Sequence, residues 1–398
     1  MKIAIVNQHF HIGGVETFLL SLIGQFKRMG HVVHVFLLEP DGSNALLPDL
    51  RALGTVIEPF HVLRRHADRP VRQFDVVLFT NTDTFFAVLR GLSRGDFEAD
   101  RVIAGTYQTR MYCLDRGPLN LHNRLVREAF AKMPVRNVIF GNDACRDEHS
   151  RLTPAMADAP VIPLIVDGEK FPRRAPREAG AAPRLVSIGR LDHFKTYNLT
   201  MLDVVRRLRD LGHDVSWDVY GTGMLQSRMT SKIAELGLGR YVRLMGNVDY
   251  RRIPEVLADA FAFIGSGLSM MEASACGVPS LPAIEYADLP QTFGFAHEID
   301  GISFFEPSLP LPRQDIGDRL IDLLQRSPAA YESVGDAGRA KMSVFFPAAV
   351  GAQYIEAFSA ASIARPGLDA ARHAIFRASA IAHRDGVVAL KRLGLRKQ

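Results

Sequence analysis

Two cations, Arg190 and Lys195, follow the strand-like run that ends S-I-G at Gly189, within the stretch S-I-G-R-L-D-H-F-K over 187–195. An arginine offers a planar fork of donors and a lysine a compact point charge, so a loop carrying both at this spacing suits a diphosphate. The plain alternative is a solvated pair of loop charges. Further on, G-S-G-L-S-M-M-E-A-S-A-C-G-V-P over 265–279 leads a glycine loop into a short apolar helix interrupted by Glu272. A carboxylate there is costly unless hydrogen-bonded, and vicinal ribose hydroxyls would satisfy it. A capping or salt-bridged glutamate is the competing reading. Three glycine turns complete the set: Gly13-Gly14 before a helical stretch, Y-G-T-G at 220–223 and L-M-G-N-V at 244–248. Each could bring backbone donors to an anion or a nucleotide, and each is also an ordinary turn. The dinucleotide pattern G-x-G-x-x-G is missing after the first strand.

These residues need a scaffold, and the hydrophobic pattern supplies one. Lys2 to Val6 reads as a strand, and the apolar stripe Val15, Phe18, Leu19, Leu22, Ile23 and Phe26 reads as a helix behind the glycine loop. Strand-like runs recur at 32–38, 75–79, 102–104 and 137–140, alternating with helical or loop stretches. Such alternation marks a parallel α/β sheet. A segment rich in Pro, Ala and charge between Pro160 and Pro183 separates this series from a second one. There, strands are expected at 185–188, 215–220, 241–245, 260–264 and 280–284, with a helix over 199–211. In open sheets of this kind ligands bind outside the carboxyl ends of the strands.

The composition narrows the function. The chain has 398 residues, 47% hydrophobic and 23% charged, enough for two domains with buried cores. Its net charge of +5 equals that of the stretch from Pro366 to the end, where seven Lys and Arg face two Asp; residues 1–365 are neutral. A neutral body argues against nucleic acid as the partner. Cys113, Cys145 and Cys276 are far apart and lack zinc-ligand spacing, which fits a reducing compartment. The first apolar run is too short for a signal-peptide core and no run approaches a membrane span, so a cytoplasmic protein is expected.

Taken in order, GGVE (13–16), IPLIVDGEKF (162–171), GRLDHFK (189–195), YGTG (220–223), LMGNV (244–248) and MEASACGVP (271–279) resemble the retaining glycosyltransferases of the family-4 type with the GT-B fold, over residues 1 to about 360. The wording F-K-T-Y-N-L and G-S-G-L-S is similar to a short-loop subset associated with surface polysaccharides. The resemblance implies two Rossmann-like, doubly wound parallel-sheet domains facing across a cleft. It implies an acceptor domain over 1–165, a linker over 166–183 and a nucleotide-sugar domain over 184–345. A helix over 346–365 would cross back, leaving a basic tail over 366–398.

The resemblance also assigns residues. Arg190 and Lys195 would neutralise the leaving group, while Gly14, Gly221, Gly223, Asn247, Val248, Ser269 and Glu272 would line the donor. His11, Gln108 and Arg110 are candidates for the acceptor side, where the family's histidine has no clean match; His9 and His122 could also stand in. Eight residues before Glu272, where the family carries another glutamate that contacts the donor sugar, stands Ile264. No D-x-D occurs, so no metal and no cofactor beyond the nucleotide-sugar donor is expected. The expected reaction moves a sugar from a nucleoside-diphosphate sugar to a glycan or lipid-linked glycan with retention. A nucleotide-sugar-binding protein without activity and a nucleotide-sugar epimerase are the alternatives. The basic tail, and Arg64, Arg65, Arg69 and Arg72 in the first half, could make a weak contact with an anionic membrane.

Overall fold

The structure is a computed structural model that describes residues 1–40, 44–109, 111–112, 121–178 and 180–363. Arg110, Cys113, the side chain of His122 and the tail over 366–398 lie outside the described residues. The chain divides into two compact units that part at Pro163–Leu164, the first unit being rejoined at Val350.

The first unit contains β1 (Lys2–Asn7), α1 (Gly14–Arg28), β2 (Val32–Leu37), α2 (Leu47–Ala52), β3 (Val56–Pro59), β4 (Arg72–Phe79), α3 (Thr82–Ser93), β5 (Phe97–Thr106), α4 (Leu121–Phe130), β6 (Val138–Phe140) and α5 (Asp143–Ser150). Its six strands are parallel in the order β3-β2-β1-β4-β5-β6. Helices cover both faces, so Ile3, Ala4, Ile5 and Val6 of β1 are all buried, as a continuous apolar run requires. The stripe of α1 packs Phe18, Leu19, Leu22, Ile23 and Phe26 inward. Strand order reverses between β1 and β4, whose carboxyl ends are tied where Thr80 Oγ1 donates to Asn7 Oδ1 at 2.5 Å.

The second unit contains β7 (Arg184–Ile188), α6 (Tyr197–Asp210), β8 (Ser216–Tyr220), α7 (Gln226–Glu235), β9 (Val242–Gly246), α8 (Ile253–Leu257), β10 (Ala262–Gly265), α9 (Leu268–Ala275), β11 (Ser280–Pro282), α10 (Ile316–Leu324) and α11 (Pro328–Met342). Its sheet is parallel in the order β11-β10-β7-β8-β9, so the direction of winding changes between β7 and β10. Beneath that point Trp217 is fully buried, its Nε1 donating to Ser187 Oγ at 3.0 Å while Ser187 Oγ donates to the Ile264 carbonyl at 2.6 Å. One relay thus joins β8, β7 and β10 and satisfies the indole N–H that burial would otherwise orphan.

The stretch expected to link the domains is packed onto the second unit. Arg174 is buried, its backbone N–H donating to the Cys276 carbonyl at 2.8 Å and its guanidinium to Tyr331 Oη at 3.1 Å, while Arg173 pairs with Asp336 at 2.6 Å. The last helix among the described residues, α12 (Pro347–Ala360), buries Val350, Tyr354 and Phe358; Tyr354 Oη lies 3.1 Å from Tyr107 Oη in the first unit, to which both residues belong. Among the described residues no helix is long and apolar enough to cross a membrane.

Candidate functional site

Most of the sequence-selected residues of the second unit gather at the carboxyl end of its sheet, around the change of winding between β7 and β10. The turns after β7 and β8 are interlocked through their backbones. Gly189 N donates to the Tyr220 carbonyl at 2.9 Å, Leu191 N to the Thr222 carbonyl at 3.0 Å, and Leu225 N to the Leu191 carbonyl at 2.9 Å. Gly221 and Gly223 have φ of 131° and 155°, and a Cβ at Gly223 would stand 2.6 Å from the Leu191 carbonyl oxygen. These two glycines are therefore needed for close backbone approach. Thr222 Oγ1 donates to Asn247 Oδ1 at 3.2 Å, which ties the exposed tip after β8 to the turn after β9, with Val248 half-buried beside it.

The two cations are held differently. Lys195 is 9% exposed and its Nζ donates to the Ser266 carbonyl at 3.3 Å. A Cβ at Gly189 would stand 2.8 Å from that Nζ, so the glycine leaves room for the ammonium to lie over the end of β7. The Arg190 side chain is 63% exposed and pairs with Asp192 at 3.1 Å. A preorganised cation beside an exposed fork is an arrangement that can hold a polyanion.

Helix α9 starts from Gly267, at φ 80°, without a side-chain cap. Its first-turn N–H groups and the positive end of its dipole add to the anion-attracting character of this rim. Ser269 is spent on the scaffold, its Oγ donating to the Ile188 carbonyl at 2.6 Å. Glu272 is 3% exposed, and Tyr250 Oη donates to its Oε1 at 3.0 Å. Burial pushes its carboxyl up to about 7, against the opposing effects of the Tyr250 hydroxyl and the nearby Lys170 charge. Lys170 Nζ lies 3.8 Å from the centre of the Tyr250 ring, so the D-G-E-K-F motif and Glu272 share one neighbourhood.

Ile264, the residue eight before Glu272, is a buried core residue of β10. One acidic residue that sequence reasoning missed does sit at this rim. Glu285, after β11, accepts a hydrogen bond from Ser266 Oγ at 2.7 Å, and the positive charges of Lys195 and Arg190 act on it. Its turn is pinned to the loop of Lys195: Tyr286 N donates to the Phe194 carbonyl at 2.8 Å, and Thr196 Oγ1 to the Ala287 carbonyl at 2.7 Å.

In the first unit, Gly14 is exposed at the start of α1, and the His11 ring lies tilted against that of His9 with ring centres 4.3 Å apart. Asn7 Nδ2 donates to the His9 carbonyl at 2.7 Å, placing both histidines after the carboxyl end of β1, and His9 Nδ1 lies 3.8 Å from Glu16 Oε1. Gln108 is exposed after β5, and its backbone carbonyl is 3.2 Å from Cys145 Sγ. Among the described residues no group of three or more His, Cys, Asp or Glu is placed to hold a metal ion.

Two doubly wound parallel α/β units in succession define the GT-B fold. Within it, residues 169–283 match the family model for Glycosyl transferases group 1, while the fold as a whole is of the GT-B type. The matched segment holds Arg190, Lys195, Gly221, Gly223, Asn247, Val248, Ser269 and Glu272. Solved structures agree on the fold. HepE of Anabaena, solved with UDP and glucose, is 15% identical with a TM-score of 0.66, covering 90% of this chain and 100% of that one. Sucrose-phosphate synthase of Thermosynechococcus elongatus is 15% identical with a TM-score of 0.64, covering 91% and 100%. The G117R mutant of TarM from S. aureus, solved with Fondaparinux, alpha-GlcNAc-glycerol and UDP, is 12% identical with a TM-score of 0.62, covering 90% and 100%. No curated protein matches the sequence.

Proposed function

We propose that the protein is a glycosyltransferase that moves a sugar from a nucleoside-diphosphate sugar to a hydroxyl of a glycan or lipid-linked glycan, with retention, in the synthesis of cell-surface polysaccharide. The observation that carries this reading is Lys195, nearly buried at the change of winding of the second sheet inside the group 1 segment, with Arg190 five residues before it. Support for the donor class comes from neighbours of the same fold solved with UDP or UDP-glucose.

In the proposed step the bond between the anomeric carbon and the diphosphate oxygen breaks, and its electron pair leaves with that oxygen. The acceptor hydroxyl oxygen bonds to the same face of the anomeric carbon, and its proton passes to the departing phosphate. Lys195 and Arg190 stabilise the growing charge without a metal ion, each contributing roughly 3–4 kcal/mol, the scale of one preorganised donor in an oxyanion site. Glu272 holds the ribose hydroxyls and is itself oriented by Tyr250. The backbones of Gly14, Gly221, Gly223, Asn247 and Val248 line the donor, and His11, Gln108 and Arg110 belong to the acceptor side. The proposed location is the cytoplasm, with reversible contact to the inner leaflet through the basic tail.

Incubation of the full chain with UDP-, GDP- and dTDP-sugars tests the reading. Slow release of nucleoside diphosphate from one of them supports a transferase. Isomerised sugar without release, or binding without turnover, would replace it with an epimerase or a non-catalytic binder.

A further inference from the structure

The side chain that the donor reading leaves unused is Glu285, and three features of its surroundings give it work to do. It sits at the carboxyl end of the second sheet, where its partner Ser266 follows β10 directly and Lys195 reaches the carbonyl of that same serine at 3.3 Å. An anion held by Lys195 would therefore have Glu285 as its neighbour. A carboxylate cannot share that anion; what it can accept is a neutral hydroxyl attached to it.

The backbone holds Glu285 there against strain. Tyr286 is the only non-glycine described residue with positive φ, at 58°, a conformation that a bulky side chain adopts only under strain. Hydrogen bonds from Tyr286 N to Phe194 and from Thr196 to Ala287 stitch this turn to the loop that carries Lys195. A second acid, Glu306, is buried nearby and occupied by the backbone N–H groups of Phe304 and Phe305 at 3.0 and 3.1 Å, so it stiffens the floor. Glu285 is half-buried and accepts 2.7 Å from Ser266 Oγ, whereas an ionised carboxylate has about four acceptor positions. Burial also pushes its carboxyl upward, which marks a group short of solvation.

We propose that Glu285 accepts hydrogen bonds from the hydroxyls of the transferred sugar and so determines which sugar the protein takes, with Ser266 fixing the carboxylate beside the diphosphate held by Lys195. The proposal rests on the nucleotide-sugar reading above. A site built to accept particular hydroxyls rejects sugars that cannot supply them, because the half-buried carboxylate then lacks those donors.

Calorimetry on the full chain with UDP, UDP-glucose, UDP-N-acetylglucosamine, GDP-mannose and the bare diphosphates tests it, comparing wild type with Glu285→Gln, Glu285→Ala and Ser266→Ala. The expected result is that wild type prefers one nucleotide sugar over its bare diphosphate. Both Glu285 variants then lose at least 10-fold of that preference while keeping diphosphate affinity within about 3-fold, and Ser266→Ala, which retains the carboxylate, loses less. Variants that bind the sugar as wild type does overturn the proposal alone. Equal loss of sugar and diphosphate affinity overturns it in favour of a structural prop for the Lys195 loop. A wild type that binds none of these compounds overturns the donor reading, and this proposal with it.

Discussion

Tyr250 donates a 3.0 Å hydrogen bond to the carboxylate of Glu272, joining the segment after β9 to the middle of α9 inside the second unit. That one bond carries a buried acid whose other close charges are Lys170 and Asp167. A folded-state value of about 7 against an ordinary 4.5 means the folded chain binds a proton more tightly than the unfolded chain. Stability from this group is therefore full below about pH 4.5 and is lost as pH rises to about 7, a change of roughly 3 kcal/mol. Urea unfolding at pH 5 and pH 8 should show Glu272→Gln gaining on wild type by about that amount at the higher pH. An equal difference at both values would contradict the assignment. Tyr250→Phe, which strands the carboxylate, should cost about 1–3 kcal/mol.

The close approach of Gly221 to the Gly189 carbonyl gives a second prediction. A Cβ at Gly221 would overlap that oxygen, and its φ of 131° suits glycine alone. Gly221→Ala should cost more than 2 kcal/mol in denaturant unfolding, as strained positive-φ sites do. Gly239, where a Cβ meets nothing within 4 Å, is the control, and Gly239→Ala should stay within about 0.5 kcal/mol.

The net charge of the tail gives a third. Full-length protein should sediment with vesicles containing anionic lipid more than a 1–365 truncation does, at about 1 kcal/mol for each basic residue near the surface. Equal sedimentation would assign any membrane contact to other surfaces, such as Arg64, Arg65 and Arg69, all exposed in the first unit.

The sequence showed the architecture better than the site. The short, mostly β-branched run Lys2–Val6 before a glycine loop reads as a buried strand, and the stripe of α1 has a single helical phase. In the sequence β5 shows only as 102–104, yet it spans Phe97–Thr106, because Glu98, Asp100 and Arg101 interrupt its apolar pattern. Strand β3 has no clear sequence signal because Glu58 and Pro59 fill half of a four-residue run, and Glu58 is held by Arg72 across the sheet. The glycine turns at 189 and 221–223 were legible as turns, but not as one interlocked pair, since their contacts join separate strands. Glu285 carried no signal: its partners Ser266 and Lys195 lie far off in sequence and meet it only through the winding order of the sheet.

The proposed role of Lys195, stabilising a nucleoside-diphosphate leaving group, is read from the rate of diphosphate release from the preferred nucleotide sugar. Lys195→Ala in a folded, purified protein should release the diphosphate about 100-fold more slowly than wild type or worse, with Arg190→Ala also impaired by about that factor. Release at the wild-type rate by Lys195→Ala would remove Lys195 from that role.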